Sequence, residues 1–129
     1  MIKINWFNFA DCELKQKKLE QAIESVLSEY DIDQVQLDVS VVGADKMIEL
    51  NQRFLDRQGV TDVLSFPQYS ESNGAATPVP DQELRHLGEI VICCPVAKQE
   101  AKDSGNSITD QLSFYIEHGL MHLLGYHHQ

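Results

Sequence analysis

The sequence predicts an α+β domain in which a small mixed β-sheet is packed with helices. Three observations carry this reading. Apolar and polar residues alternate from Ile2 to Trp6 and from Val35 to Val41, as in strands with one buried face. From Glu13 to Tyr30, and again from Leu112 to Leu124, apolar residues recur every three or four positions, as on the inner stripe of a helix. Two further apolar runs, Val63 to Phe66 before Pro67 and the β-branched stretch Glu89 to Cys94, are too short for helices and read as strands. A chain of 129 residues is the size of one domain and can bury a real core, so residues 1–129 are expected to form a single domain.

In chain order, Ile2, Ile4 and Trp6 share one face of the first strand. The first helix turns Leu19, Ala22, Ile23, Val26, Leu27 and Tyr30 inward, and Lys15, Lys17 and Lys18 read as its solvated face rather than a phosphate site. Val35, Leu37, Val39 and Val41 alternate with Gln36, Asp38 and Ser40 in the clearest strand, which Gly43 ends. Asp45 is placed to cap the second helix, whose apolar set is Met47, Ile48, Leu50 and Phe54. The polar turn Asp56-Arg57-Gln58-Gly59 leads to the strand Val63 to Phe66. Residues 68–86 are too polar to fill a core, Tyr69 through Pro80 especially, and read as a mobile surface loop followed by Arg85 and a surface His86. Pro95 suits the first turn of the next helix, which Gly105 ends. Ser107 and Asp110 have the spacing of a capping box for the last helix, fastened to the core by Leu112, Tyr115, Ile116, Met121 and Leu124.

No stretch approaches the roughly 20 apolar residues that span a bilayer. The N-terminus lacks the charged-then-apolar layout of a signal peptide. Both point to a cytoplasmic protein with no membrane partner. Cys12, Cys93 and Cys94 show no Cys-x-x-Cys spacing and are expected to be small buried hydrophobes in a reducing compartment. Ten basic against twenty acidic residues give a formal charge of −10. Lysine and arginine supply most non-specific affinity for nucleic acid, so this balance implies weak intrinsic affinity that a partner would have to raise. A bound divalent cation changes that balance locally.

Four of the five histidines lie in the last twelve residues, His118 to Gln129. Residues four apart on a helix stand one above the other, so His118 and His122 form a pair of nitrogens suited to a metal. Gly125 is expected to end the helix in a left-handed turn and bring Tyr126-His127-His128 back with a third nitrogen. Three protein ligands leave one position of a zinc site open, the mark of a catalytic site. Gly119 stands where the metalloprotease motif His-Glu-x-x-His has its general base, which disfavours peptide hydrolysis. A glycine inside a helix costs roughly 1 kcal/mol against alanine, so substrate or a neighbouring strand is expected to approach there. Thr61-Asp62 is suited either to orient a ligand histidine or to tie down its own turn.

His118-Gly-x-x-His122-x-x-Gly125-Tyr126-x-His128 resembles the signature of the YbeY family of bacterial metal-dependent endoribonucleases of ribosomal RNA maturation. Leu50-Asn51, Thr61 to Pro67 and Leu87-Gly88-Glu89-Ile90-Val91-Ile92 agree with the same family in order and spacing. The resemblance implies a zincin-like metal helix near the C-terminus, with His118, His122 and His128 holding one divalent ion, zinc or a similar metal. It further implies ribosomal RNA as substrate and the ribosome or ribosome-associated proteins as partners. The chain departs from the pattern at three positions. His127 replaces a usual Asp and competes with His128 as ligand, although position favours His128. Leu55 stands where the family usually has an arginine, leaving Arg53 and Arg57 as flanking candidates for phosphate contact. Glu89 replaces a common Asp.

Three functions are compatible with these residues. The first is a metal-dependent single-strand endoribonuclease acting in small-subunit ribosomal RNA maturation and ribosome quality control. The second is an amide or peptide hydrolase, for which the sequence offers no evident general base. The third is a non-catalytic, metal-binding ribosome-assembly factor, favoured by the acidic charge and by Leu55.

Overall fold

A computed structural model describes residues 1–68 and 84–127, with side chains through Gly125. Its elements are β1 (Ile2–Asn8), α1 (Gln16–Glu29), β2 (Val35–Val42), α2 (Ala44–Leu55), β3 (Val63–Pro67), β4 (Arg85–Cys93), α3 (Cys94–Ser104) and α4 (Ile108–His127). This is the order expected from the sequence. The loop reading of Tyr69 through Pro80 falls outside the described residues, while Arg85 and His86 belong to β4.

The four strands form one sheet in the order β1-β2-β4-β3. β1 runs parallel to β2 and β2 to β4, whereas β3 pairs antiparallel with β4 at the edge. One face of the sheet is closed by α1 and α4. Val35, Leu37, Val39 and Val41 of β2 meet Leu19, Ile23 and Leu27 of α1 and Leu112, Tyr115, Ile116, Leu120 and Leu123 of α4 in the main core. Full burial of such side chains contributes about 1.5–3 kcal/mol each, which fixes both helices against the sheet. The opposite face is covered only in part, where Met47 and Leu50 of α2 and Val96 of α3 pack on Val42, Leu64, Val91 and Cys93.

The start and stop signals act locally as the sequence implies. Pro95 lies in the first turn of α3, and Gly105 caps its end with φ 72°. Ser107 Oγ accepts the Asp110 N–H at 3.0 Å, forming one arm of the capping box. Gly43, rather than Asp45, is the N-cap of α2, and Asp45 sits in the first turn, where its charge favours the helix dipole.

Several inward assignments change. Phe54 and Ile48 of α2 are 54% and 39% exposed, while Met47 and Leu50 are the residues of that helix that pack on the sheet. Met121 is exposed and receives the Tyr30 hydroxyl at 3.6 Å, while Leu120 and Leu123 are the residues that hold α4 to the core. Gly125 does not end the helix, since α4 continues to His127. All three cysteines are buried as expected, but only Cys93 is a free thiol: Cys12 and Cys94 are joined in a disulfide with Cα atoms 6.2 Å apart, which departs from the reduced cysteines expected from the sequence. Their separation of 82 residues hides that pairing from any local reading. No helix among the described residues is long and apolar enough to cross a membrane.

Candidate functional site

The buried stripe of α4 leaves His118 and His122 exposed on the flank nearest β3. Two glycines set how closely that flank lies to the sheet. A Cβ added at Gly119 would come within 3.1 Å of the buried Ile90 side chain, so the approaching neighbour is strand β4. The position that would carry a metalloprotease general base is therefore used for packing. Gly88 has φ +143°, and a Cβ there would stand 2.3 Å from the Phe66 carbonyl oxygen and 3.1 Å from Leu123. A side chain at either position would move strand, helix or both.

Alternation along β3 sends Val63 into the main core, and Leu64 and Phe66 to the opposite face. Ser65, in phase with Val63, meets the histidine pair, its Oγ 2.5 Å from His122 Nδ1. A hydrogen bond at Nδ1 fixes the ring and directs Nε2 outward, the usual way a ligating imidazole is held. His118 packs edge-on against Phe114 at 6.4 Å between ring centroids. Two imidazoles one turn apart, one of them braced by a hydroxyl, suit a borderline divalent ion such as zinc. Among the described residues no group of three His, Cys, Asp or Glu side chains is assembled around one metal position. His128 lies outside the described residues. His127 closes α4, and its side chain is likewise not described.

The pair faces a groove of about 630 Å³ along the edge strand, lined by Thr61 to Pro67 and by Phe54, Leu55 and Arg57 at the end of α2. Asn51, 3% exposed, donates to the Gly59 carbonyl at 3.2 Å and ties the turn that carries Arg57 back to α2. Of the two arginines singled out from the sequence, Arg57 lines this groove. Arg53 lines a neighbouring one, its guanidinium 5.4 Å from the Phe54 ring centroid.

Asp62 performs the turn role expected of it. Its Oδ1 accepts the Val63 N–H at 2.7 Å, and its carbonyl accepts the Cys93 N–H at 2.9 Å. Its charge acts toward α3: burial raises the pKa of the Cys93 thiol and Asp62 adds to that rise. Glu100 is raised too, by desolvation first and then by Asp62 and Asp103. His86 extends from the face opposite α4, with Nε2 3.2 Å from Asp38 Oδ2, which removes it from the ligand set. Ser65 is the site residue that the sequence reading missed. Its signal was available as the one polar residue inside the apolar run Val63 to Phe66.

The model for Endoribonuclease YbeY matches residues 5–129. The chain belongs to the YbeY family. Among its relatives, Endoribonuclease YbeY of Staphylococcus saprophyticus is 34% identical over 129 residues, covering 99% of this chain and 76% of that protein. The YbeY of Sulfurihydrogenibium is 32% identical over 91% of this chain and 72% of its own length. That of Acidothermus cellulolyticus is 41% identical over 72% of this chain, but the match spans only 58% of the longer relative. The solution structure of TM1509 from Thermotoga maritima superimposes with a TM-score of 0.56 at 28% identity, covering 95% of this chain and 71% of that one.

Proposed function

We propose that this YbeY-family chain is a metal-dependent endoribonuclease that cleaves single-stranded ribosomal RNA during small-subunit maturation and ribosome quality control in the cytoplasm. The observation that carries the reading is the His118 and His122 pair braced by Ser65 at the head of an open groove in a chain of this family. His118, His122 and His128 would hold one divalent ion, with zinc best matching three imidazole donors. When bound, that ion supplies Lewis-acid stabilisation of the phosphoryl oxygens and makes water more acidic.

The chain's own residues account for the rest. Ser65 keeps the His122 ring in its ligating orientation. Arg57 offers a fork of donors for a phosphate oxygen within the groove, and Phe54 and Phe66 give apolar walls on which a base can stack. Asp62 Oδ1 is engaged by the Val63 N–H, and the Glu position of the protease motif is Gly119, so no positioned base for peptide hydrolysis is found among the described residues. A second reading, amide hydrolysis, draws on one observation: β3 is an edge strand beside the histidines and could pair with an extended peptide.

Cleavage of a labelled single-stranded RNA by purified protein decides between them, run beside a chelated sample and His122→Ala. Metal-dependent cleavage that disappears in the variant supports the nuclease. Intact RNA with one metal retained per chain favours the assembly-factor role, and hydrolysis of a peptide substrate with intact RNA favours the amidase.

A further inference from the structure

A second groove, of about 540 Å³, lies on the sheet face opposite α4, separated from the histidine groove by Phe54 and Phe66, which line both. Its volume is within the range of ligand sites, about 300–1,000 Å³. Its floor holds a carboxylate: Glu89 projects from β4 and its Oε2 accepts the hydroxyl of the buried Ser40 at 2.6 Å. Ser40 is the hydrogen-bond partner of Glu89 among the described residues, so Oε1 has none there. Phe54 and Phe66 meet edge to face at 5.3 Å on one wall, and Phe9, 73% exposed, stands at another. Two cations, Lys46 and Arg53, line the same groove. Lys46 is also paired with Glu49 at 3.4 Å, an exposed contact of small energetic weight.

Aromatic faces, a fixed acceptor and two cations are the three elements of a nucleotide site: stacking for the base, a hydrogen-bonding edge and charge for the phosphate. The acceptor selects among the bases. Guanine presents two adjacent donors, N1–H and the N2 amino group, which match the two oxygens of one carboxylate. Adenine and cytosine place an acceptor nitrogen beside their single amino donor, and uracil places its N–H between two carbonyls. Each carboxylate oxygen has two lone pairs, so Oε2 can accept from the base while holding Ser40.

We propose that this groove binds a guanine nucleotide of the single-stranded RNA substrate, with Glu89 reading the base edge, Phe9, Phe54 and Phe66 stacking on it, and Lys46 and Arg53 holding its phosphate. The assignment rests on the nuclease reading for its biological meaning and makes the second groove a specificity subsite that shares the Phe54 and Phe66 wall with the histidine groove.

The test has a binding arm and a cleavage arm. Calorimetric titration of the purified protein with the four nucleoside 5′-monophosphates is expected to show the guanine nucleotide binding about tenfold or more tightly than the other three, in line with one bidentate base contact. Glu89→Gln, which turns one acceptor into a donor, should remove that preference. Phe9→Ala, a change at an exposed position that leaves the core untouched, should weaken all four by roughly five- to a hundredfold through lost stacking. Mapping of RNA products should show cuts at a constant offset from guanines in wild type and a loss of that rule in Glu89→Gln. Equal affinity for the four nucleotides, or a guanine preference that survives Glu89→Gln, overturns the proposal. Indiscriminate cleavage without base preference leaves the nuclease standing and sinks the subsite, whereas guanine-selective binding without any cleavage does the reverse.

Discussion

The two grooves beside β3 share a wall and differ in their chemistry. On the α4 side the strand contributes a serine hydroxyl to a histidine pair, and the helix is drawn close by glycines at 88 and 119. On the other side the sheet contributes a carboxylate fixed by Ser40, and α2 leaves the surface open. One strand thus divides a metal-suited surface from a base-suited one, because its successive side chains point to opposite faces. A one-residue register slip in β3 would exchange Ser65 for a large apolar neighbour and disable both grooves together.

Breaking the first groove alone gives the largest effect. His122→Ala is expected to lose most of its metal and to lower RNA cleavage by more than the tenfold to hundredfold typical of an outer-shell partner. Binding of a mononucleotide in the second groove should be unchanged. Metal analysis by mass spectrometry with calorimetry on the same variant checks both halves, and undiminished metal content would remove His122 from the ligand set.

The close approach of α4 to the sheet is the next target. Gly88→Ala places a Cβ against a backbone oxygen in a positive-φ conformation, and neither can yield cheaply. A loss of about 3 kcal/mol in urea unfolding is expected. Gly119→Ala meets only the Ile90 side chain and gains helix propensity, so its net cost should be nearer 1 kcal/mol. Equal costs at the two positions would mean that the backbone clash at Gly88 is relieved by movement of β3.

Ser65→Ala tests the brace between strand and helix. Metal affinity should fall by about ten- to a hundredfold while fold stability barely changes, and Ser65→Thr, which keeps a hydroxyl, should restore part of it. Unaltered affinity in Ser65→Ala would make the contact with His122 incidental. The choice between His128 and His127 as the proposed third ligand is addressed by His128→Ala against His127→Ala: the first should weaken metal binding and the second should not.

These elements were not equally legible in the sequence. Element order, the capping of α3 and α4 and the histidine pair were readable because each depends on spacing within one or two turns. Ser65 was harder, since its partner lies 57 residues away and only the folded sheet brings them together. The Cys12 and Cys94 disulfide and the second groove share that difficulty, being made by residues from separate elements. Phe54 shows the opposite failure: helical periodicity placed it inward, but periodicity does not report how much sheet is available to cover it. Its exposure is what allows it to serve as a wall for both grooves.

The net charge of −10 gives the last and smallest prediction, concerning how RNA is held rather than how it is cut. Each phosphate neutralised on a single strand contributes about −0.7 to the slope of log affinity against log salt. Among the described residues, Arg57 in the first groove and Lys46 and Arg53 in the second are the cations lining these surfaces. With metal chelated, the slope should therefore be no steeper than about −2, shallow for a nucleic-acid-binding protein. Arg57→Ala should reduce it by about 0.7 and weaken binding a few-fold whatever the RNA sequence. A steeper slope would mean that RNA contacts basic residues elsewhere, such as Lys15, Lys17 and Lys18 on the exposed face of α1 and its approach. A slope unaltered in Arg57→Ala would show that the phosphate does not pass along the histidine groove on that side, and would leave Leu55 as the position where a new arginine should raise affinity most.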